Sequence, residues 1–183
     1  ILCAFVLKDK FLAFVIATIK TLIFFLYFYI FFDGTYTSGV DDYYYLSKGT
    51  LLIKEIRELP LASIEIFNVA ESFHFMYVVI SAIAQYAFGE HYFSLAAINV
   101  MASIFCGVVS YAIVKNQYQN DAHAKMFCVA MLMYPDVLSW SSVFAGKDTF
   151  VLLGHLIFLY AFSNLIKKHQ PKFNVVWRDD KNY

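Results

Sequence analysis

Four long apolar runs dominate the pattern of the chain, and shorter polar segments separate them. The runs cover Phe11–Phe32, Tyr92–Val114, Met126–Trp140 and Thr149–Ile166. The first would form a helix about 33 Å long, enough to cross a hydrocarbon core of ~30 Å. A fifth run, Phe75–Phe88, would cover about 21 Å and suits an interfacial or re-entrant helix. The pattern predicts an all-α polytopic transmembrane helix bundle with four spans, or five if the short run also crosses.

The distribution of Lys and Arg residues sets the orientation of these spans. With four spans and a cytoplasmic N-terminus, nine Lys and Arg residues lie inside and four lie outside. Five spans with an external N-terminus give ten inside and three outside, so charge alone does not separate the two arrangements. The shortness of Phe75–Phe88 favours four spans, with both termini cytoplasmic and residues 33–91 as an external loop.

Composition agrees with a membrane protein and excludes several other classes. Hydrophobic residues make up 61% of the chain and charged residues 15%, whereas soluble proteins have about 45–50% and about 25%. The net charge is zero, which argues against a basic face for nucleic acid. The chain begins with Ile1 inside an apolar run. We therefore expect residues 1–183 to be a single transmembrane domain that is part of a larger polytopic protein.

The external loop carries the pattern of juxtamembrane helices. A short helix is predicted to start near Asp42 and to end at Gly49. The segment after it places Leu52, Ile56 and Leu59 on one helical face, with charged residues opposite. This second helix is predicted to lie at the membrane surface.

The first candidate for chemistry is the acidic pair in this loop. Asp41 and Asp42 stand beside three consecutive tyrosines, of which Tyr43 and Tyr45 are candidates for substrate contact. Adjacent carboxylates at a boundary between water and apolar groups can have separated pKa values, so that one serves as a general base. On a helix the two point about 100° apart, so we expect one of them to face a given cavity. The alternative role is a helix N-cap.

The second candidate lies between the last two long runs. Pro135 is predicted to kink or end the third span, and Trp140 lies at the predicted outer interface. Lys147 can bind a phosphate as a point charge. Asp148 follows it at the start of the fourth span, where it is either functional or a helix cap. Charged groups near membrane depth are costly, which favours a functional reason for this pair.

Other polar residues of the apolar runs carry weaker signals. Lys20 can snorkel or pair within a bundle, and His155 is expected to form a hydrogen bond between helices. Glu71 and His74 are three residues apart, which is a weak signal for a helical metal site. No metal ligands are assigned, and the cofactor requirement stays open, a divalent metal included.

Two motifs carry a resemblance to a known family. The loop opens with GVDDYYYLSKG, and the last two runs are joined by P-x-x-x-x-W-S-S-x-x-x-x-K-D. Together with the long first span, these resemble the N-terminal part of membrane glycosyltransferases of the C-type fold (GT-C). The chain is similar in particular to exopolysaccharide and O-antigen polymerase-like proteins of bacterial surface-polysaccharide clusters. The resemblance covers about residues 11–166.

The resemblance implies an activity and a location. It implies transfer of a sugar from a polyprenyl-linked donor in cell-surface polysaccharide assembly, at the bacterial inner membrane. Asp41 or Asp42 would be the catalytic base, and Asp148 would assist. The expected partners are the lipid bilayer and the polyprenyl-linked donor, and not nucleic acid. The alternative is a non-enzymatic membrane subunit or transporter fragment of a polysaccharide assembly system, in which these acids are caps and solvated charges.

Overall fold

A computed structural model describes residues 9–31, 40–58, 74–142 and 146–169 of the chain. The described residues form α-helices and one π-helical segment, Tyr27–Phe31, with no strand among them. The predicted all-α class is thereby confirmed for these residues. The α-helices are α1 Lys10–Leu26, α2 Val40–Glu58, α3 Phe75–Phe88, α4 Tyr92–Tyr118, α5 Asp121–Met133, α6 Pro135–Ser142 and α7 Asp148–His169.

Two of the described helices are long and apolar enough to cross a membrane. They are α4, with a mean hydropathy of 2.0 in its most apolar stretch, and residues Asp148–Lys167 of α7, with 1.8. Helix α1 has 17 residues before it passes into the π-helical segment, and α3 has 14. The chain is therefore a helical protein with two candidate membrane-spanning helices among the residues described.

Helix α4 is the centre of the bundle, since α3, α5, α6 and α7 all pack against it. The direction of α7 follows from contacts that run the same way along both helices, Asn99 with Gly146, Cys106 with Thr149 and Gln117 with Ser163. Helix α7 is therefore parallel to α4. Between them α5 and α6 run in the opposite direction and bring the chain back towards the start of α4.

Proline 135 divides the third apolar run, as predicted. Helix α5 ends at Met133, and α6 begins with Pro135 itself. Tyr134 between them is extended, with φ −60° and ψ 127°, because a proline disfavours helical geometry in the residue before it. Pro135 has no N–H, which costs nothing in the first turn of a helix. The run is thus two helices separated by the extended residue Tyr134.

Glycine 49 does not end a helix, so the predicted division of the external loop is wrong. Helix α2 is continuous from Val40 to Glu58. Gly49 lies where α2 crosses α3, and a Cβ placed on it would lie 2.5 Å from both Ser81 Oγ and Gln85 Nε2. The glycine is therefore needed for close approach of two helices, which the local sequence does not reveal.

Polar side chains of α3 bind the backbone of α2 at this crossing. Ser81 Oγ donates to the Tyr45 carbonyl at 2.8 Å, and Gln85 Nε2 donates to the Leu46 carbonyl at 3.0 Å. The predicted apolar face of α2 is also shifted. Leu52 and its neighbour Ile53 are buried, whereas Ile56 is 44% exposed. Helix α2 is thus packed against α3 on one face.

The turn between α4 and α5 holds an ionic cluster. Asp121 accepts hydrogen bonds from Tyr111 Oη at 2.6 Å and from Lys115 Nζ at 2.9 Å, and Lys125 Nζ lies 3.0 Å from its other oxygen. The hydrogen bond from Tyr111, followed by those from Lys115 and Lys125, holds the pKa of Asp121 far below its usual value. Gln119, which lies between α4 and α5, has a positive φ of 53°.

Candidate functional site

Three separate segments bring polar groups together around Lys147. Its Nζ donates a hydrogen bond to Tyr45 Oη at 3.2 Å and lies 3.4 Å from His74 Nε2. Tyr45 belongs to α2, His74 directly precedes α3, and Lys147 directly precedes α7. We call these three residues the Lys147 site. Each stands in or beside the first turns of a helix, so the packing of the helices fixes their mutual distances.

The contact between Lys147 and Tyr45 is a hydrogen bond more than a cation–π interaction. Nζ lies 5.9 Å from the centroid of the Tyr45 ring, near the limit for attraction to a ring face. Because Nζ is also only 3.2 Å from the hydroxyl, it stands beyond the oxygen at the ring edge. The ammonium therefore interacts with the hydroxyl dipole, and the ring face stays open to its aromatic neighbours.

The chemistry of an ammonium group fixes the role of His74. A lysine ammonium has donors only, so a hydrogen bond from Lys147 to His74 Nε2 requires a lone pair on that nitrogen. The neutral ring then carries its proton on Nδ1. At 3.4 Å this contact is long, so the Tyr45 hydroxyl is the stronger of the two partners.

Aromatic rings hold Tyr45 in place. The ring of Tyr45, which is 1% exposed, meets that of Tyr77 edge to face at 4.7 Å between centroids. Tyr77 in turn contacts Phe150 of α7 at 5.7 Å. Such pairs contribute about 0.5–1.5 kcal/mol beyond the area they bury. The contacts with Tyr77 and Phe150 thus hold the Tyr45 ring so that its hydroxyl lies next to Lys147.

A cavity of about 300 Å³ adjoins the Lys147 site. Its lining is largely apolar, with Lys147, His74 and Tyr77 as the residues that carry polar side-chain groups, and consists of His74, Met76, Tyr77, Ile80, Lys147, Phe150 and Val151. A few polar groups in an apolar cleft are the usual form of a small-molecule site. The Lys147 ammonium, which lines this cavity beside His74, is a donor that the cavity offers to an anionic group.

Asparagine 99 connects the backbone before Lys147 to the aromatic residue Tyr77. Asn99 is fully buried in α4, and its Nδ2 donates to the Gly146 carbonyl at 2.9 Å. Its Oδ1 accepts from Tyr77 Oη at 3.2 Å. Sequence reasoning missed Asn99, although an asparagine inside an apolar run is itself a signal, because a buried amide needs partners.

The structure brings two of the sequence-predicted residues into direct contact and places two others nearby. Lys147 and Tyr45, 102 positions apart, share a hydrogen bond. Asp148 is the first residue of α7 and is exposed. Tyr43 is 58% exposed on α2, two positions from Tyr45 and therefore on a different face.

Three further candidates are placed by their backbone only. Asp41 and Asp42 lie in the first turn of α2, four and three positions before Tyr45, which is about one helical turn. Trp140 lies in α6. The side chains of all three are outside the part of the chain that the structure describes. Glu71, the candidate metal partner of His74, is also outside it.

Lysine 20 is buried in the bundle and does not snorkel to an interface. It is 2% exposed in α1 and lines a second cavity of about 350 Å³ between α1 and α4. The rest of that lining is mostly apolar and includes Phe24, Phe88 and Met101. The alternative expectation, that Lys20 pairs within a bundle, agrees with this burial.

Within the described ranges, no three His, Cys, Asp or Glu side chains lie close enough together to hold a metal ion.

Comparison of the chain with protein-family models, with curated proteins and with solved structures gives no match. The Lys147 site and the sequence motifs around it are therefore the features that indicate a function.

Proposed function

We propose that the chain belongs to a membrane glycosyltransferase that transfers a sugar from a polyprenyl-linked donor during assembly of bacterial cell-surface polysaccharide. The observation that carries the proposal is the hydrogen bond between Lys147 and Tyr45. It joins the two motifs on which the resemblance to GT-C enzymes depends. Tyr45 stands about one helical turn after Asp41 and Asp42 in α2, and its partner Lys147 lines a cavity, which supports a shared site.

The proposal includes four membrane crossings in the inner membrane, with both termini cytoplasmic. Helices α4 and α7 would be two of them. Helix α1 with its π-helical continuation, Lys10 to Phe31, would be another, and α5 with α6 the fourth. In support, the Lys147 site and the Asp121 cluster lie towards opposite ends of α4, as an outer site and a cytoplasmic turn require. Helix α3 would pack along the outer half of α4 without crossing.

The proposed reaction assigns a task to each residue. Asp41 or Asp42 takes the proton of the acceptor hydroxyl, and the acceptor oxygen attacks the anomeric carbon of the donor sugar. The bond from that carbon to the phosphate oxygen breaks, and the phosphate leaves with the bonding electron pair. Lys147 stabilises the charge on the leaving phosphate, because an ammonium pairs strongly with phosphate oxygens. Tyr43, Trp140 and Asp148 would line the path of the sugar, and the buried Tyr45 would hold Lys147 in position through its hydroxyl.

Glycan extension in cells that carry the intact gene tests the proposal. Loss of a general base typically lowers a rate ~10²–10⁴-fold. Asp41→Asn and Asp42→Asn should differ sharply, because neighbouring helical positions point about 100° apart. Lys147→Ala should also reduce extension. Glu58→Gln, an exposed carboxylate on the same helix, is the matched control and should leave extension unchanged.

Protein level, checked by blot, separates a catalytic defect from loss of the protein. If both aspartate variants extend glycan normally at equal protein level, the assignment of the base is wrong. The non-enzymatic membrane subunit would then be the better account of the chain, and Lys147 would be a structural residue that holds α2 to the start of α7.

A further inference from the structure

Polar and apolar groups lie at opposite ends of the cavity beside Lys147. His74 meets Lys147 at 3.4 Å, and three positions later Tyr77 meets Phe150 at 5.7 Å between ring centroids. The first turns of α3 and α7 therefore run the same way along the cavity. The lining beyond the aromatic pair is aliphatic and consists of Ile80 and Val151. The cavity thus has the polarity of an amphiphile, with a charged end and an apolar end.

Both helices that form the cavity begin at its charged end. Helix α3 begins directly after His74, and α7 begins directly after Lys147. The N-terminal N–H groups and the dipoles of the two helices add to the positive potential that the ammonium produces there. An amphiphile with an anionic head at this end and its chain along Ile80 therefore fits both the charge and the polarity of the lining.

The hydrogen bond of His74 with Lys147 depends on the charge at this end. Nε2 of His74 accepts from the ammonium, so this nitrogen has no proton. A proton on Nε2 would put two positive groups 3.4 Å apart, which disfavours the charged ring. An anion that contacts both groups reverses this balance, because each cation then has an opposite charge within reach. Protonation of His74 is thereby coupled to the charge of a ligand.

The titratable groups near His74 come from α2 and from the start of α7. Among the described residues, Lys147 reaches the ring from α7, and the Tyr45 ring of α2 meets it edge to face at 6.0 Å between centroids. Asp148, which follows Lys147, is exposed, so water and salt screen its charge. The acidic pair 41–42 stands about one turn before Tyr45 in α2. The ammonium within hydrogen-bond range is the charge that a bound anion has to offset.

We propose that His74 makes this site selective for the phosphate monoester of an amphiphile: the ring takes up a proton as the ligand binds and donates Nε2–H to one phosphate oxygen, while Lys147 pairs with another. A phosphate monoester is largely a dianion at neutral pH, since its second pKa is about 6, whereas a diester has a single charge. Only the dianion balances the charge of both cations. The apolar end of the cavity holds the first carbons of the chain.

This inference deepens the proposed function and rests on it for the source of the ligand. In the proposed reaction, the bond from the anomeric carbon to the phosphate oxygen breaks, and the phosphate keeps the electron pair. The leaving phosphate therefore has one more negative charge than the donor. His74 then favours the product over the donor, and its proton comes from solvent, since the proton of the acceptor hydroxyl goes to Asp41 or Asp42.

Calorimetry with two small esters tests the proton coupling. The probes are hexyl phosphate, a monoester, and methyl hexyl phosphate, the matched diester, added near pH 7.5 to the purified chain in an uncharged detergent. Titration in two buffers of different ionisation enthalpy counts the protons that binding takes up. We expect about one proton for the monoester and none for the diester. The monoester should bind about tenfold more tightly, the low end for one charge-assisted hydrogen bond, because protonation at this pH offsets part of the gain. Monoester binding without proton uptake would overturn the proposal.

Two histidine variants identify the group that takes the proton. His74→Gln keeps a donor for phosphate but cannot become charged, so it should lose both the proton uptake and the preference for the monoester. It should still bind both esters through Lys147. His91→Gln changes an exposed histidine before α4, outside the cavity lining, and should keep both properties. Proton uptake that persists in His74→Gln would assign the proton to another group and overturn the role of His74.

Bulk at the apolar end tests the position of the chain. Val151→Trp should weaken binding of hexyl phosphate about tenfold, the equivalent of two buried methylene groups, and should leave binding of inorganic phosphate unchanged. Circular dichroism confirms that the variant keeps its helix content. Equal weakening of both ligands would contradict the placement of the chain, and failure of both esters to bind the unchanged protein would overturn the site itself.

Glycan extension separates this inference from the proposed function. If the esters bind with proton uptake at His74 but the aspartate variants extend glycan normally, the proposed catalysis is wrong and the phosphate site stands. If the aspartate variants lose extension while the monoester binds without proton uptake, the catalysis stands and the role of His74 is wrong.

Discussion

At the scale of single residues, two of the buried polar side chains of α4, Asn99 and Ser110, make opposite predictions. Asn99 bonds both Tyr77 and Gly146, whereas Ser110 Oγ is buried with no hydrogen-bond partner among the described atoms. Asn99→Ala leaves the Gly146 carbonyl and the Tyr77 hydroxyl unpaired, so we expect the free energy of unfolding to fall by about 1–3 kcal/mol. Ser110→Ala should be neutral or stabilising. Denaturant titration in detergent measures both, and equal losses would contradict the argument.

Asp121 makes a prediction about pH. Its pKa is held below the usual value in the folded protein, chiefly by Tyr111, so folding is favoured while the carboxylate is ionised. This stabilisation is fully present above the unfolded pKa of about 3.9 and is lost as the pH falls below that value through the folded pKa. Asp121→Asn should therefore lower the melting temperature at pH 6, and by a clearly smaller amount at pH 2, where part of the stabilisation is already lost. A difference that persists unchanged at pH 2 would contradict the ionic explanation.

Tyr111→Phe is the matched test of the cause. It removes the hydroxyl that donates to Asp121 at 2.6 Å and keeps the ring. Because this bond is the largest contribution to the lowered pKa, the carboxylate of the variant should titrate at a higher pH than that of the unchanged protein. NMR detection of the Asp121 carboxyl carbon reports this directly.

The sequence predicted only part of the Lys147 site. Lys147 is indicated by the sequence because a charge at the end of an apolar run needs a reason, and Tyr45 is indicated because it follows an acidic pair. Their contact could not be predicted, since it depends on the packing of α2 against α3 and α7. His74 was considered only as a metal ligand. The roles proposed for Asp41, Asp42 and Asp148 stay predictions.

At the scale of elements, two helical glycines should respond oppositely to the same change. Gly49→Ala pushes a methyl group to within 2.5 Å of Ser81 Oγ, and Gln85 on the other side is held by hydrogen bonds. Overpacking of this kind costs about 1–3 kcal/mol. Gly154→Ala meets open space and should gain about 1 kcal/mol from helix propensity alone. Thermal unfolding of the isolated protein measures both signs, and stabilisation by Gly49→Ala would show that α2 and α3 separate easily.

The elements themselves were largely predictable because apolar length and proline act locally. The run Phe75–Phe88 is a helix with those same bounds, and Pro135 separates α5 from α6. Gly49 was misassigned for a physical reason. A glycine that ends a helix and a glycine that lets two helices touch look alike in sequence, and only the Ser81 and Gln85 side chains opposite distinguish them. Helices α4 and α7 are candidate membrane-spanning helices, and the number of membrane crossings stays a prediction.

At the scale of the whole molecule, the orientation of α4 decides on which side the Lys147 site lies. Helix α4 has 27 residues and is about 40 Å long, so its two ends reach opposite faces of a bilayer if it crosses. Exposed Glu90 stands just before one end, and exposed Gln119 follows the other. The excess of Lys and Arg residues on the Gln119 side predicts that this side is cytoplasmic.

Labelling of single cysteines in intact cells tests this orientation. In a variant without native cysteines, Glu90→Cys should react with a membrane-impermeant maleimide from outside, and Gln119→Cys should react only after the cells are permeabilised. Leu95→Cys is the matched control, because it is fully buried in α4 and should stay unlabelled in both conditions. Labelling of Gln119→Cys alone in intact cells would show that the protein has the opposite orientation. The Lys147 site would then lie in the cytoplasm, away from an externally displayed donor. Labelling of both positions from the same side would show that α4 does not cross, and the proposed arrangement of four spans would fail with it.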